Sequence, residues 1–467
     1  MGIIALSLAL IFAATLIVRD CKRRPSVSLS IWIPTIFVMV LGSRSASEWL
    51  HGGTGYYQAF GNQAATDPID LIFTLTIIVT SLVITIRRRV NWGKVFAANP
   101  ALMLLYGYFV LSIGWSGDPM GSFKRIFKDF GMLFVIGVVF SEKDPAQAMR
   151  AMYLRSASLM LPLSLVFIRW FPRYGRVYAL DGSMTATGVT TQKNTLGEMT
   201  LIYILFLVWD YLERPKQGQK SLLQRIPWDQ VVLLLMSLWL LRASQSKSSL
   251  LCLVIGVFLI ARWKSLASTI VDTSVFLGAL ASPLLLFFSQ QFSSVIAPLV
   301  QAMGRNMTFT GRANIWQHIT LDTVNPLIGC GYYNFWGGPG GYAITVAMDT
   351  TVPNAHNGYL DLYLDGGFIG LAIFAIVLIA SGRGLIRRLA RQAGINYHAR
   401  ICFAVLIVVI LSNLSESTFV RVSLLWFTTL LMIVRFPGKG SLRNAHINVS
   451  KSAYKSPNGQ QSVLVSR

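Results

Sequence analysis

The residues best suited to chemistry lie in one polar stretch, residues 310–370, which separates two strongly apolar segments. Arg312 stands near its start, behind Thr308 and Thr310, either of which can cap a helix that runs to about residue 319. Its guanidinium would then lie in the first turn, where exposed N–H groups attract anions and where its two-pronged geometry suits phosphate. A solvated arginine on an amphipathic surface helix explains the same residues equally well.

A second candidate is His356, which comes directly before a long apolar helix that Asn357 can cap. Asp361 and Asp365 follow in the first turns, where the helix dipole favours carboxylates, and either could orient the histidine. A single histidine at a helix start is more often structural than catalytic, so the residue types alone leave its role open. Three later glycines should let another helix pack closely: Gly366, Gly367 and Gly370.

Basic residues are scarce in the segments that should face the same side of a membrane as this stretch. Positive charge is disfavoured in short outer loops, so the few cations that occur there indicate an anionic ligand. Snorkelling at the membrane interface explains Arg173 and Arg176 equally well. The full set comprises Arg173, Arg176, Lys193, Arg242, Lys247, Arg305 and Arg312.

The elements around these residues are predicted to be membrane helices. Hydrophobic residues make up 54% of the chain and charged residues 13%, whereas a soluble protein carries about 25% charge. Apolar runs of about 15–23 residues recur along the chain, a length that suits helices and exceeds the alternating strands of a barrel. The composition predicts an all-α polytopic membrane protein of about 12–13 transmembrane helices, near residues 3–18, 29–43, 69–86, 100–115, 126–141, 152–171, 196–212, 229–243, 248–262, 269–288, 358–380, 400–415 and 418–435.

The net charge of +22 does not indicate a nucleic-acid-binding protein, because the basic residues form short clusters beside apolar runs. That pattern orients membrane helices with positive charge inside. The first apolar run precedes its basic residues, the reverse of a cleavable signal peptide, which predicts a retained helix with its N-terminus outside. The basic clusters then fall inside and the remaining connections outside, the latter at 44–68, 116–122, 172–195, 289–357 and 416–417.

The predicted organisation has four parts. They are an N-terminal part of the transmembrane bundle, a large outer loop that carries the active site, C-terminal transmembrane helices and a disordered basic inner tail, over residues 1–288, 289–357, 358–435 and 436–467. A loop as long as the second part is usually functional. The four cysteines are scattered and no Cys/His cluster occurs, so no zinc site, disulfide or cofactor is expected.

Four blocks within residues 100–435 resemble, in order and spacing, the O-antigen ligase/polymerase superfamily of bacterial membrane glycosyltransferases, and within it the exopolysaccharide-polymerase branch. One departure is Lys247, where the family has arginine; lysine keeps the charge but loses the bidentate fork, which leaves Arg242 as an alternative. The blocks are Gly188 with Lys193-Asn194 and Gly197, Ser246-Lys247-Ser248, Thr310-Gly311-Arg312 with Trp316 and the turn 325–331, and His356-Asn357 with Gly367 and Gly370.

The resemblance implies a GT-C-like fold and a metal-independent transferase at the outer face of the bacterial inner membrane. The donor would be an oligosaccharide on undecaprenyl diphosphate, and the acceptor a hydroxyl of a second lipid-linked unit. His356 would be the general base, with a pKa near the working pH, and Arg312 would stabilise the leaving diphosphate. The implied substrate-binding residues are Lys193, Asn194, Lys247, Arg242, Arg176, Asn357 and Trp316.

Other functions stay open at this stage. A ligase that moves glycan to a lipid A core or a protein would differ only in its acceptor. A transporter or flippase would place ionisable residues at mid-membrane, whereas those here lie near predicted helix ends: Glu198, Asp210, Asp272, Glu416 and Arg421. A structural partner of an assembly machine would tolerate loss of both His356 and Arg312. The expected partners are undecaprenyl-diphosphate-linked oligosaccharides and the lipid bilayer, with a chain-length regulator and export proteins as candidates and no nucleic acid.

Overall fold

The computed structural model describes residues 1–52, 67–178, 184–214, 227–262, 268–287, 312–319, 323–391 and 396–437. The described chain is almost entirely helical, which confirms the predicted all-α class. Its α-helices, α1 to α18 in chain order, are Gly2–Arg23, Trp32–Leu41, Ala46–His51, Pro68–Arg87, Trp92–Ala98, Pro100–Ser112, Pro119–Phe140, Pro145–Trp170, Pro172–Gly175, Lys193–Glu213, Trp228–Ser244, Lys247–Ala261, Ser268–Phe287, Arg312–Gln317, Pro339–Met348, Gly358–Arg391, Tyr397–Ser412 and Leu424–Ile433.

Every predicted helix has a helical counterpart, but fewer helices have the length of a full membrane crossing. Among the described residues, five helices are long and apolar enough, namely α1, α4, α8, α10 and α16, and a sixth span results if α5 and α6, bent by 97°, count together. Other apolar helices have 10–17 residues, whereas about 20 are needed to cross the hydrocarbon core. In the described part of the chain, the helices long and apolar enough for a full crossing are thus fewer than the predicted 12–13, and shorter apolar helices account for part of the difference. The chain is a multi-pass membrane protein.

Much of the predicted loop and tail lies outside the described residues. Of the predicted outer loop, 289–357, the structure describes residues 312–319 and 323–357. Of the predicted tail, 436–467, it describes residues 436 and 437. The threonines expected to cap α14, Thr308 and Thr310, also lie outside the described part.

A small antiparallel sheet stands between α9 and α10, where no strand was predicted. Its strands β1, Arg176–Tyr178, and β2, Met184–Ala186, pair over their whole length. Strands of three residues are too short to show an alternating pattern in sequence. The sheet places the connection before Lys193 against the bundle.

Ion pairs join the helix ends that the charge pattern assigned to one side of the membrane. These pairs connect the ends of different helices, and the sidedness of the bundle stays a prediction. The pairs are Arg24 with Asp210 (2.5 Å), Arg88 with Glu142 (2.7 Å) and Arg262 with Asp272 (2.5 Å).

Helix α16 is broken at Gly367, whose φ of 60° and ψ of −162° are not helical. The turn 325–331 supplies the hydrogen bonds that the break removes, as a break in a membrane helix requires. The expectation that Gly367 serves close helix packing is therefore wrong; it serves this backbone junction. Four N–H···O=C bonds make the junction: Cys330 to Leu364 (2.9 Å), Gly331 to Asp365 (3.0 Å), Phe368 to Pro326 (2.8 Å) and Ile369 to Leu327 (3.1 Å).

Substitution of Gly367 by alanine should destabilise the fold. A Cβ there would lie 2.3 Å from the backbone of Leu327, and the positive φ adds strain, which costs about 1–3 kcal/mol by itself. The expected result is a clearly lowered melting temperature of the detergent-solubilised protein. Gly107→Ala is the matched control, because a Cβ at Gly107 meets nothing within 4 Å. Equal melting temperatures for the two variants would contradict the junction.

Candidate functional site

Arg312 is the first residue of α14, as predicted, and its guanidinium pairs with a carboxylate. Its Nη2 lies 3.0 Å from Oε1 of Glu416, in the loop 413–423, and the two side chains are only 14% and 10% exposed. The charges of Glu416 and Arg312 both act on Glu198, a buried residue of α10. Segments far apart in sequence thus form one buried charge group, which we call the Arg312 cluster: Arg312, Glu416 and Glu198.

The backbone on both sides of His356 is held by hydrogen bonds to side chains. The imidazole itself receives none from the described residues, so its nitrogens are left for another partner. The bonds run from Trp316 Nε1 to the Ala355 carbonyl (2.8 Å), from Ala355 N–H to Asp361 Oδ1 (3.1 Å), from His356 N–H to Asn354 Oδ1 (2.9 Å) and from Asn357 N–H to Ser417 Oγ (3.0 Å).

His356 also has a φ of +49°, in the left-handed region that residues with a side chain rarely adopt. Such a conformation persists only where its surroundings fix it, and it is common at functional sites. The four hydrogen bonds around residues 355–357 provide that fixation. The structure therefore presents the His356 ring from a rigid, strained segment.

Asp361 and Asp365 were expected to orient His356, but neither carboxylate forms a described hydrogen bond to the imidazole ring. Asp361 acts on the backbone instead, and its Oδ1 also accepts from Trp336 Nε1 at 2.8 Å. Asp365 forms a buried ion pair with Arg421 at 2.6 Å. The expectation of a carboxylate beside the imidazole is wrong, because the hydrogen bonds of Asp361 and the ion pair of Asp365 engage both groups elsewhere.

The environment of His356 opposes its protonation. Burial, and after it the positive charge of Arg312, lower the pKa of His356 to about 4. The predicted pKa near the working pH is therefore wrong for the free protein. The imidazole is neutral at ordinary pH, the form that can accept a proton, but burial and the charge of Arg312 make it a weak base, and neutralisation of Arg312 removes the smaller of the two causes.

The two lysines of the site begin neighbouring helices. Lys193 starts α10, with Asn194 next to it, and Lys247 starts α12 after its cap Ser246. These helix starts touch, because a Cβ at Gly197 would lie 2.6 Å from Ser246 Cβ. Since Glu198 follows Gly197 directly, both lysine segments adjoin the Arg312 cluster.

No contact among the described residues places Arg176 or Arg242 at the Arg312 cluster. Arg176 lies in β1, where its Nε donates to the Ile168 carbonyl at 2.7 Å. Arg242 is exposed in the last turn of α11. The alternative in which Arg242 replaces Lys247 gains no support from this arrangement.

Trp316 and Asn357 have clear structural tasks. Trp316 holds the Ala355 carbonyl, as described above. Asn357 Oδ1 accepts from the N–H groups of Tyr359 (3.0 Å) and Leu360 (3.2 Å), so the predicted helix cap is confirmed. Contact of either side chain with substrate stays a prediction.

Sequence reasoning missed the carboxylates of the Arg312 cluster as site residues. Glu198 and Glu416 stood out only as ionisable residues near helix ends, although a carboxylate inside an apolar helix is itself a functional sign. It also missed Arg44, which is 4% exposed and donates to the carbonyls of Tyr174 and Thr190. Arg44 thereby ties down the connection that leads to Lys193.

The described ranges also contain His, Cys, Asp and Glu side chains, the usual protein ligands of metal ions. Within those ranges, no three His, Cys, Asp or Glu side chains are grouped so that they could hold a metal ion. The polar groups gathered around Arg312 and His356 are instead suited to an anion and to proton transfer. The arrangement can stabilise a negative leaving group beside a neutral imidazole.

Comparison with known proteins agrees with the resemblance seen in the sequence. Residues 231–375 match the family described as O-antigen ligase. The chain is also 24% identical over 322 residues to the exopolysaccharide production protein ExoQ of Rhizobium meliloti (strain 1021), which covers 65% of this chain and 69% of that protein. No solved structure matches this chain significantly. Both matches confirm the predicted resemblance to the O-antigen ligase/polymerase superfamily and its exopolysaccharide-polymerase branch.

Proposed function

From its similarity to O-antigen ligases and to an exopolysaccharide production protein, we propose that this multi-pass membrane protein is a polysaccharide polymerase. It joins oligosaccharide units carried on undecaprenyl diphosphate, at the outer face of the bacterial inner membrane. The observation that carries the proposal is the meeting of Arg312 and His356 at one buried polar site, inside the region 231–375 that matches the family.

In this proposal His356 takes the proton from an acceptor hydroxyl while that oxygen attacks the anomeric carbon of the donor. The bond between that carbon and the diphosphate breaks, and undecaprenyl diphosphate leaves as an anion. Arg312 stabilises the leaving charge, and Lys193 and Lys247 add positive charge nearby. As the diphosphate neutralises Arg312, the depression of the His356 pKa is partly relieved, so that donor binding strengthens the base.

The charge distribution supports the proposed orientation. The ion pairs of Arg24, Arg88 and Arg262 involve the basic clusters that are expected to face the cell interior. The large loop then lies outside, where lipid-linked donors are accessible and nucleotide sugars are not. A periplasmic loop in the bacterial inner membrane is therefore part of the proposal, as are partners that set chain length or export the polymer.

A ligase is the second candidate, because the matched family is described as O-antigen ligase. It would use the same donor and the same residues but a lipid A core or a protein as acceptor. A polymerase and a ligase would bind different acceptors beside His356, but the departure of the diphosphate would be the same in both.

The test uses purified protein with undecaprenyl-diphosphate-linked oligosaccharide from the same host, without nucleotide sugar. A ladder of products on a gel supports polymerisation. Transfer only after addition of a lipid A core or a protein would establish the ligase. Failure to transfer to any acceptor, with a protein that melts cooperatively, would overturn both and favour transport or a structural role.

A further inference from the structure

The partner of Arg312 in the structure is a carboxylate of the protein itself. Glu416 Oε1 is hydrogen-bonded to the guanidinium at 3.0 Å, and both side chains are largely buried. Carboxylate and phosphate oxygens use the same guanidinium N–H groups. An incoming diphosphate therefore meets an arginine that is already engaged by an anion.

Glu416 is held in place by a well-bonded turn. Asn413, at the start of the loop, is fully buried, and its Oδ1 accepts from the N–H groups of Thr418 (2.8 Å) and Phe419 (3.1 Å). The N–H of Glu416 itself donates to the Ser412 carbonyl at 3.0 Å. Because α14 has only six residues, Arg312 is the partner we expect to move when an anion binds.

Glu198 adds a second carboxyl group to the same place. It is 9% exposed, and it interacts electrostatically with both Glu416 and Arg312. Within the Arg312 cluster, two carboxyl groups thus lie near one guanidinium. A further anion has to displace Glu416 from the guanidinium N–H groups before it can use them.

We propose that Glu416 is an internal competitor of the diphosphate at Arg312, and that it returns to the guanidinium after the reaction and so promotes release of undecaprenyl diphosphate. Glu198 reinforces the effect as a second carboxyl group close to the guanidinium. The inference rests on the proposed function, because it requires that Arg312 bind the diphosphate of the donor.

The test is Glu416→Gln, with inorganic pyrophosphate as the probe. Calorimetric titration of the folded protein should show a dissociation constant at least about fivefold lower than in the wild type, the lower end of ordinary coupling between two ligands. The donor KM should fall in parallel, and kcat should fall where product release is limiting. Fold is expected to survive, because the amide oxygen of glutamine can still accept a hydrogen bond from the guanidinium.

Glu198→Gln is the second variant and should shift pyrophosphate binding in the same direction by a smaller factor. Glu213→Gln, which removes the same charge at the opposite end of the bundle, should leave binding unchanged. If Glu416→Gln binds pyrophosphate equally well or more weakly, Glu416 merely orients Arg312 and the competitor role is overturned. Because the product ladder is measured separately, that result would leave the proposed function intact.

Discussion

Replacement of His356 by alanine is expected to abolish a visible product ladder, with a loss of transfer rate of about a hundredfold or more, as removal of a general base causes. The imidazole is half-buried near Arg312, on a segment whose backbone is held by hydrogen bonds. The measurement is the initial rate of transfer in purified protein. Donor KM should change little, because the base acts after binding.

His318→Ala is the matched control, since His318 is exposed and follows the end of α14. It should retain the wild-type rate. If His356→Ala transfers glycan at that rate as well, the base is another group. A comparable loss in both variants would point to a general effect on the loop.

The pH profile of the wild type gives an independent check of the same residue. Because the pKa of His356 in the free protein is lowered to about 4, the active neutral form persists well below pH 6.5. The acid limb of kcat/KM, which reports the free enzyme, should therefore fall near pH 4. The acid limb of kcat should fall at a higher pH, because bound diphosphate offsets the charge of Arg312 and so raises the pKa of His356.

Replacement of Arg312 by alanine is expected to reduce kcat/KM for the donor by about a hundredfold to a thousandfold, the usual effect of losing a preorganised electrostatic group. It should also eliminate pyrophosphate binding. Arg312→Lys should recover part of the activity, since lysine keeps the charge but not the bidentate fork. Transfer rates and calorimetry measure both effects.

Arg312→Ala also removes the guanidinium that pairs with Glu416, which can lower stability. The double variant with Glu416→Gln separates the two effects, because it restores the charge balance without restoring phosphate binding. Arg173→Ala, at an exposed arginine of α9, is the control for loss of a surface charge. An unchanged donor KM in Arg312→Ala would refute the phosphate assignment.

The local features of this protein follow from the sequence alone. Membrane helices are predicted because run length and composition decide how a segment meets lipid. Asn357 could be identified as a cap, and Arg312 as a first-turn residue, because such features depend on only a few neighbouring residues. The short blocks around Lys193, Lys247, Arg312 and His356 were enough to indicate the family.

Features that depend on contacts between distant segments could be seen only in the tertiary structure. The pairing of Arg312 with Glu416 spans 104 residues, and no periodicity records it. The break at Gly367 becomes visible only when the turn 325–331 completes its hydrogen bonds. The depressed pKa of His356 likewise arises from burial and from Arg312. A site assembled from separate helix ends takes its electrostatics from packing, which residue types and spacing do not specify.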